Sequence, residues 1–150
     1  IEAAGKQGAQ IVSAAQNMTF TLGRARVTFI GPARTQHTDS RDDGLTLRID
    51  YGQTSVVVTG CITSNGEKEI VSSGAAAACD ALIVSRGGTE AATCAEWVEA
   101  AKPKVALITG KNPANSVRIR LQKYGAMVYA AKENGVMTLF SDGQEITVEP

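Results

Sequence analysis

Ala81-Leu-Ile-Val84, then Ser85-Arg86-Gly87-Gly88-Thr89, then Thr93-Cys-Ala-Glu96-Trp97-Val98, and finally Val105-Ala-Leu-Ile108 read as strand, turn, helix and strand. The two four-residue apolar runs are too short for buried helices and are rich in branched side chains, so they read as strands. A run without polar alternation belongs to a strand covered on both faces. Thr93-x-x-Glu96 is the pattern of a capping box, and Pro103 marks the exit from the helix it opens. Two parallel strands joined through a helix make a βαβ unit, and the rest of the chain is placed around it.

Downstream, Asn112 is expected to cap a helix with Pro113 at its first position and Gly125 at its end. Val117, Leu121 and Tyr124 give that helix one apolar face. Strands are expected at Met127–Tyr129, Val136–Phe140 and Glu145–Val148, separated by turns at Asn134-Gly135 and Asp142-Gly143. Upstream, Ser64-x-x-Glu67 is a second capping-box pattern, opening a helix that stops by Gly74. Val56-Val57-Val58 reads as a central strand. Leu45, Leu47 and Ile49 alternate with Thr46, Arg48 and Asp50, which gives that strand one wet face. Met18–Leu22 and Arg26–Ile30 form a hairpin about Gly23-Arg24. Ile1–Gln7 reads as the tail of a helix, and Gly31–Gly44 as a polar loop. The expectation is one α/β (α+β) domain over residues 1–150, with a mixed sheet and helices packed on it.

Of the 150 residues, 43% are apolar and 20% charged, as in an ordinary globular domain. Fifteen cations balance fifteen anions, so global charge recruits neither nucleic acid nor an anionic membrane. The local balance differs: Lys102, Lys104, Lys111, Arg118, Arg120 and Lys123 occur with no acid among them. They form either a solvated face or a phosphate-contacting one. Three cysteines, Cys61, Cys79 and Cys94, do not make a disulfide framework. No stretch approaches the roughly 20 apolar residues of a membrane span. A first residue other than Met leads us to expect a piece of a longer protein or a processed product.

Leu45-x-Leu-Arg-x-x-Tyr51-Gly52, followed by Ser55-Val-Val-Val-Thr-Gly60, resembles the apolar strand ending Thr-Gly-Asp of ComEC-type DNA-internalisation competence proteins. Ala81–Val84 with Ser85–Thr89 is similar to that family's strand followed by Gly-His-His-Gly-Ser. Glu99-Ala-Ala-Lys-Pro-Lys-Val-Ala-Leu-Ile108 and Pro113-x-x-x-Val117-x-x-Arg120-Leu121-x-x-x-Gly125 are similar to its next segments, in the same order, from about Gln7 to Glu149. The resemblance implies the C-terminal half of a metallo-β-lactamase-like αββα sandwich, with its helices on one face. It also implies attachment to a bacterial membrane permease, with this domain outside the hydrocarbon region.

The departures bear on function. The family's metal-bridging carboxylate position holds Cys61 here, its His-His pair is Arg86-Gly87, and the His of its Gly-His-Pro is Asn112. Its His-x-His-x-Asp-His motif is absent. Metal-assisted hydrolysis needs several convergent nitrogen and oxygen ligands. The single histidine, His37, lies in the polar loop and is expected to be solvated. No cofactor is therefore expected and no residue is assigned as catalytic. Cys61 with Cys94 is kept open as a metal or disulfide pair, and Gly87-Gly88 as a backbone anion nest beside Arg86. Trp97 is expected in the core.

Three functions remain. The first is a catalytically silent module of a DNA-uptake machine, serving as scaffold or binding DNA or a partner. The second is a zinc- or manganese-dependent phosphodiesterase whose other ligands lie on a missing segment. The third is an interaction domain unrelated to DNA. A chain carrying half a sandwich is expected to associate, either with the N-terminal half of the same domain or with a second copy.

Overall fold

A computed structural model describes residues 1–149. After a short helix α1 (Glu2–Lys6), strands β1 (Thr19–Leu22), β2 (Ala25–Gly31), β3 (Thr46–Tyr51) and β4 (Thr54–Val58) run antiparallel. Helix α2 (Ser64–Ser72) leads to β5 (Ala81–Ile83), α3 (Ala95–Ala101) to β6 (Val105–Ile108), and α4 (Asn115–Lys123) to β7 (Met127–Ala130). Strands β4 to β7 are parallel, so the described residues form one mixed seven-stranded sheet in the order β1 to β7. A one-turn helix α5 (Ala131–Asn134) precedes a separate hairpin of β8 (Thr138–Ser141) and β9 (Ile146–Glu149). The mixed α/β architecture expected from the sequence is present.

The crossovers β4–α2–β5, β5–α3–β6 and β6–α4–β7 each step the same way across the sheet. With the usual right-handed connection, all three helices lie on one face. They pack side by side, α2 on α3 and α3 on α4. Val57, Leu82, Ala106 and Ile108 point at them and are buried with Ile70, Trp97, Val98, Val117 and Leu121. Trp97 is a core residue, as expected.

The opposite face carries two apolar rows. Phe29, Leu47, Val58, Ile83, Leu107 and Tyr129 are partners in register across β2 to β7. Phe20, Val27, Ile49, Val56, Ala81, Val105 and Met127 form the second row. The β8–β9 hairpin lies on this side: Ser141 Oγ is 2.7 Å from the hydroxyl of Thr54, a residue of the same face as Val56. Gly143 O accepts the Gln53 N–H at 2.6 Å. Leu139, Ser141, Ile146 and Val148, the inward residues of the hairpin, stay half-buried, as do Val56, Val58, Ile83 and Val105. Strands expected to be covered on both faces are thus fully covered on the helix side only.

The helix starts and one turn differ from the local sequence patterns. Helix α2 is capped by Thr63, whose hydroxyl accepts the Asn65 N–H at 3.2 Å, and not by Ser64. Helix α3 starts after Cys94; Thr93 sits at φ 59° and does not cap it. Helix α4 starts at Asn115 with Ala114 before it, because the Ala114 N–H is held by Gly88 O at 2.8 Å and Asn112 stays in the loop. Asn134-Gly135 ends a helical turn where a strand-to-strand turn was expected.

Candidate functional site

In a parallel sheet, loops leaving the C-terminal strand ends converge on one edge, where side chains from distant residues meet. Here β4, β5 and β6 deliver Gly60-Cys61, residues 84–94 and residues 109–114 to that edge. The loops are fastened together by backbone. Arg86 N–H donates to Gly60 O at 3.1 Å, and Ala114 N–H to Gly88 O. Ser85 Oγ donates to Ile62 O at 2.5 Å. Gly87 lies so close to Gly110 that a Cβ on it would stand 2.6 Å from the Gly110 Cα. The loops carrying Cys61, Arg86, Gly87 and Asn112, far apart in sequence, therefore share this edge.

Its chemistry is not that of a metal centre. Cys61 offers an exposed thiol and Asn112 an exposed amide. Gly87 has no side chain, and Arg86 is a permanent cation that repels a divalent ion. Among the described residues, no three His, Cys, Asp or Glu side chains are grouped to hold a metal. The donor set does not fit zinc or manganese, which want several convergent nitrogens, carboxylate oxygens or, for zinc, thiolates, of which Cys61 supplies one. Cys61 and Cys94 are both free thiols; burial pushes the Cys94 thiol up to about 12.

Arg86, Gly87 and Gly88 form a left-handed run at φ 51°, 62° and 82°. The Arg86 and Gly88 N–H groups are engaged by Gly60 O and Ser85 O, which breaks the run of consecutive free N–H groups that the anion nest kept open at Gly87-Gly88 needs. Arg86 Nη1, Thr89 Oγ1 and Thr93 Oγ1 are buried without hydrogen-bond partners among the described residues.

Two carboxylates organise the surroundings: Glu67, which the sequence pattern assigns to the start of its own helix, and Asp42, which no pattern singles out. Glu67 is fully buried on α2, and its two oxygens accept the N–H groups of Thr93 (2.6 Å) and Cys94 (2.8 Å) at the start of α3. Burial pushes it up to about 7, against those bonds and the nearby Arg120. Asp42 is buried in the polar loop and accepts both the N–H (2.6 Å) and the hydroxyl (2.8 Å) of Thr63. A Cβ at Gly66 would fall 2.6 Å from Asp42 Oδ1, so only glycine fits there.

His37, expected to be solvated, has a side chain only 3% exposed. Its Nδ1 lies 2.8 Å from Asp43 Oδ1 and its Nε2 2.7 Å from Glu69 Oε2. Arg34 pairs with the same Glu69. These bonds pin residues 34–43 to α2 beside a polar cavity of about 690 Å³ lined by Asp39, Ser40, Asn65 and Lys68. The hydrogen bond to Asp43 raises the His37 pKa above 6.5, with burial opposing it and Glu69 reinforcing it.

The six basic residues do not form one patch. Lys102 and Lys104 precede β6, and Lys123 closes α4 ahead of β7, so these three lie at the N-terminal edge of the parallel strands. Lys111 lies at the opposite edge with Arg86. Lys104 is paired with Asp80 at 2.9 Å and Arg118 with Glu133 at 2.5 Å. Arg120 donates to Thr93 O.

Among known proteins, the chain is similar to ComE operon protein 3 of Bacillus subtilis (strain 168), with 24% identity over 143 residues. The match covers 91% of this chain and 18% of that protein, so the chain spans less than a fifth of its relative's length. No protein-family model matches. The similarity relates the chain distantly to a competence protein.

Proposed function

We propose that this chain is a non-hydrolytic module related to the metallo-β-lactamase-like part of ComEC-type competence proteins, used as a scaffold or to bind DNA or a partner in DNA uptake. One observation carries the reading. The strand-end edge is fully built, with its three loops fastened together, yet it presents a thiol, a guanidinium, a bare glycine and an amide where a hydrolase needs metal ligands. A mixed sheet with helices on one face and a partial second layer on the other supports the sandwich architecture. By that resemblance, the N-terminal half of the same domain completes the second layer.

Elemental analysis and calorimetric titration with Zn²⁺ and Mn²⁺ test the reading, together with hydrolysis of a chromogenic phosphodiester. We expect no stoichiometric metal and no metal-dependent hydrolysis. One metal per chain, lost on Cys61→Ser together with phosphodiesterase activity, would overturn it.

A further inference from the structure

We propose that the chain forms a two-fold dimer by pairing strand β1 of one copy antiparallel with β1 of a second copy. The inference stands apart from the competence reading, since it rests on the sheet edge alone.

Strand β1 is an outer strand of the sheet and reads Thr19-Phe20-Thr21-Leu22, all exposed. Edge strands are ordinarily blunted by charge, proline, a bulge or a covering element, because their free N–H and C=O groups recruit further strands. The other edge is managed in this way: α5 packs against β7, and Asn134 Oδ1 accepts the Ala130 N–H at 3.0 Å. On β1 there is neither charge nor proline. Its open-face residues Phe20 and Leu22, and Met18 just before it, are apolar, at 47%, 71% and 37% exposure; Asn17 at φ 70° and Met18 both bond to Phe29 and form a bulge that ends before Thr19.

The strand is complementary to itself. Met18 O accepts the Phe29 N–H at 2.9 Å, so Met18 faces β2. By the antiparallel alternation Phe20 and Leu22 also face β2, which leaves the backbone groups of Thr19 and Thr21 pointing outward. Centring the two-fold axis on Phe20 sets Thr19 against Thr21 of the second copy, where those outward groups exchange hydrogen bonds. Phe20 then meets its own counterpart in a non-hydrogen-bonded pair, and Leu22 meets Met18. Every pair on the open face is apolar, and the pair on the other face is threonine with threonine. The apolar row Phe20, Val27, Ile49, Val56 continues across the join into the second copy. The ladder is only about 17 Å long. That places the contact among interfaces below about 1,200 Å² in total, so the dimer dissociates on dilution.

The test combines sedimentation with cysteine trapping in the intact chain, in a Cys61→Ser background. Phe20 Cα atoms in the proposed pair lie about 4.5 Å apart, within disulfide reach, whereas Leu22 Cα atoms lie about 14 Å apart. Phe20→Cys is expected to give a disulfide-linked dimer under mild oxidation and Leu22→Cys to give none. The parent chain is expected to rise from monomer to dimer mass with concentration, and Phe20→Glu to remain monomeric. Circular dichroism melts establish that each variant is folded. A folded parent that stays monomeric throughout overturns the proposal. So does a dimer that Phe20→Glu leaves intact, or trapping equal at positions 20 and 22.

Discussion

Glu67 Oε1 lies 2.6 Å from the backbone nitrogen of Thr93, so a carboxylate of α2 caps α3. Thr93 is β-branched and sits at φ 59°, a conformation such residues rarely adopt. The contact therefore holds in place the loop that carries Arg86 and Gly87.

Glu67→Ala leaves the buried Thr93 N–H and the part-buried Cys94 N–H without partners. It should cost about 3 kcal/mol, measured by urea unfolding, because each unmet buried donor costs about 1–3 kcal/mol. Glu67→Gln keeps one acceptor and should cost roughly half as much. Equal, near-zero effects would mean that water replaces the carboxylate.

Stability should fall as pH rises from 5 to 8. Glu67 moves from an ordinary 4.5 to about 7 in the fold, so the folded state holds a proton that the unfolded chain releases across that window. Its contribution is present at the low end and lost as pH climbs towards 7, by at most about 3 kcal/mol. His37, raised above 6.5, has the same sign: its stabilisation is full below 6.5 and disappears as pH passes the raised value. Thermal melts at pH 5 and pH 8 check the trend, and Glu67→Gln should flatten it. Below pH 4 the trend reverses, because Asp80, held below its usual range by Lys104 and Ser55 against its burial, loses its bonds on protonation.

Gly87→Ala should be markedly worse than Gly74→Ala. Both glycines have positive φ, at 62° and 74°. A Cβ at Gly74 meets open space, whereas one at Gly87 meets the Gly110 backbone. The first substitution carries only the conformational penalty of about 1 kcal/mol. The second must also push the Gly87 and Gly110 loops apart, and about 3 kcal/mol is expected from denaturant midpoints.

If the module contacts DNA, the exposed cations without an ion pair among the described residues should contribute most. Lys111→Glu and Lys123→Glu should weaken binding of a single-stranded oligonucleotide and flatten its salt dependence, read by fluorescence anisotropy. Arg118→Ala should do less, because Glu133 already neutralises that guanidinium. Binding unchanged in all three variants would remove the basic stretch from any DNA role.

Strand positions were legible because apolar runs such as Val56–Val58 and Val105–Ile108 carry their own signature. Helix starts were not. Ser64-x-x-Glu67 and Thr93-x-x-Glu96 satisfy a local pattern, but Glu67 turns to another helix, a tertiary partner that no spacing rule encodes. The burial of His37 is hidden for the same reason: its carboxylates, Asp43 and Glu69, are six and 32 residues away. The meeting of Cys61, Arg86 and Asn112 at one edge was reached only through resemblance, since their separation in sequence carries no local sign of it.

The sheet is threaded in strict chain order, β1 to β7, so each strand pairs with the one made just before it. Contacts of that kind close short loops and favour rapid folding. The β8–β9 hairpin departs from this order: Thr54 and Ser141 touch across 87 residues. The sheet can therefore zip from either end while the hairpin docks last, as a separate and weaker unit. Hydrogen exchange should find Leu139 and Val148 opening well before Leu82 and Ala106, and a chain ended at Met137 should still assemble the seven strands.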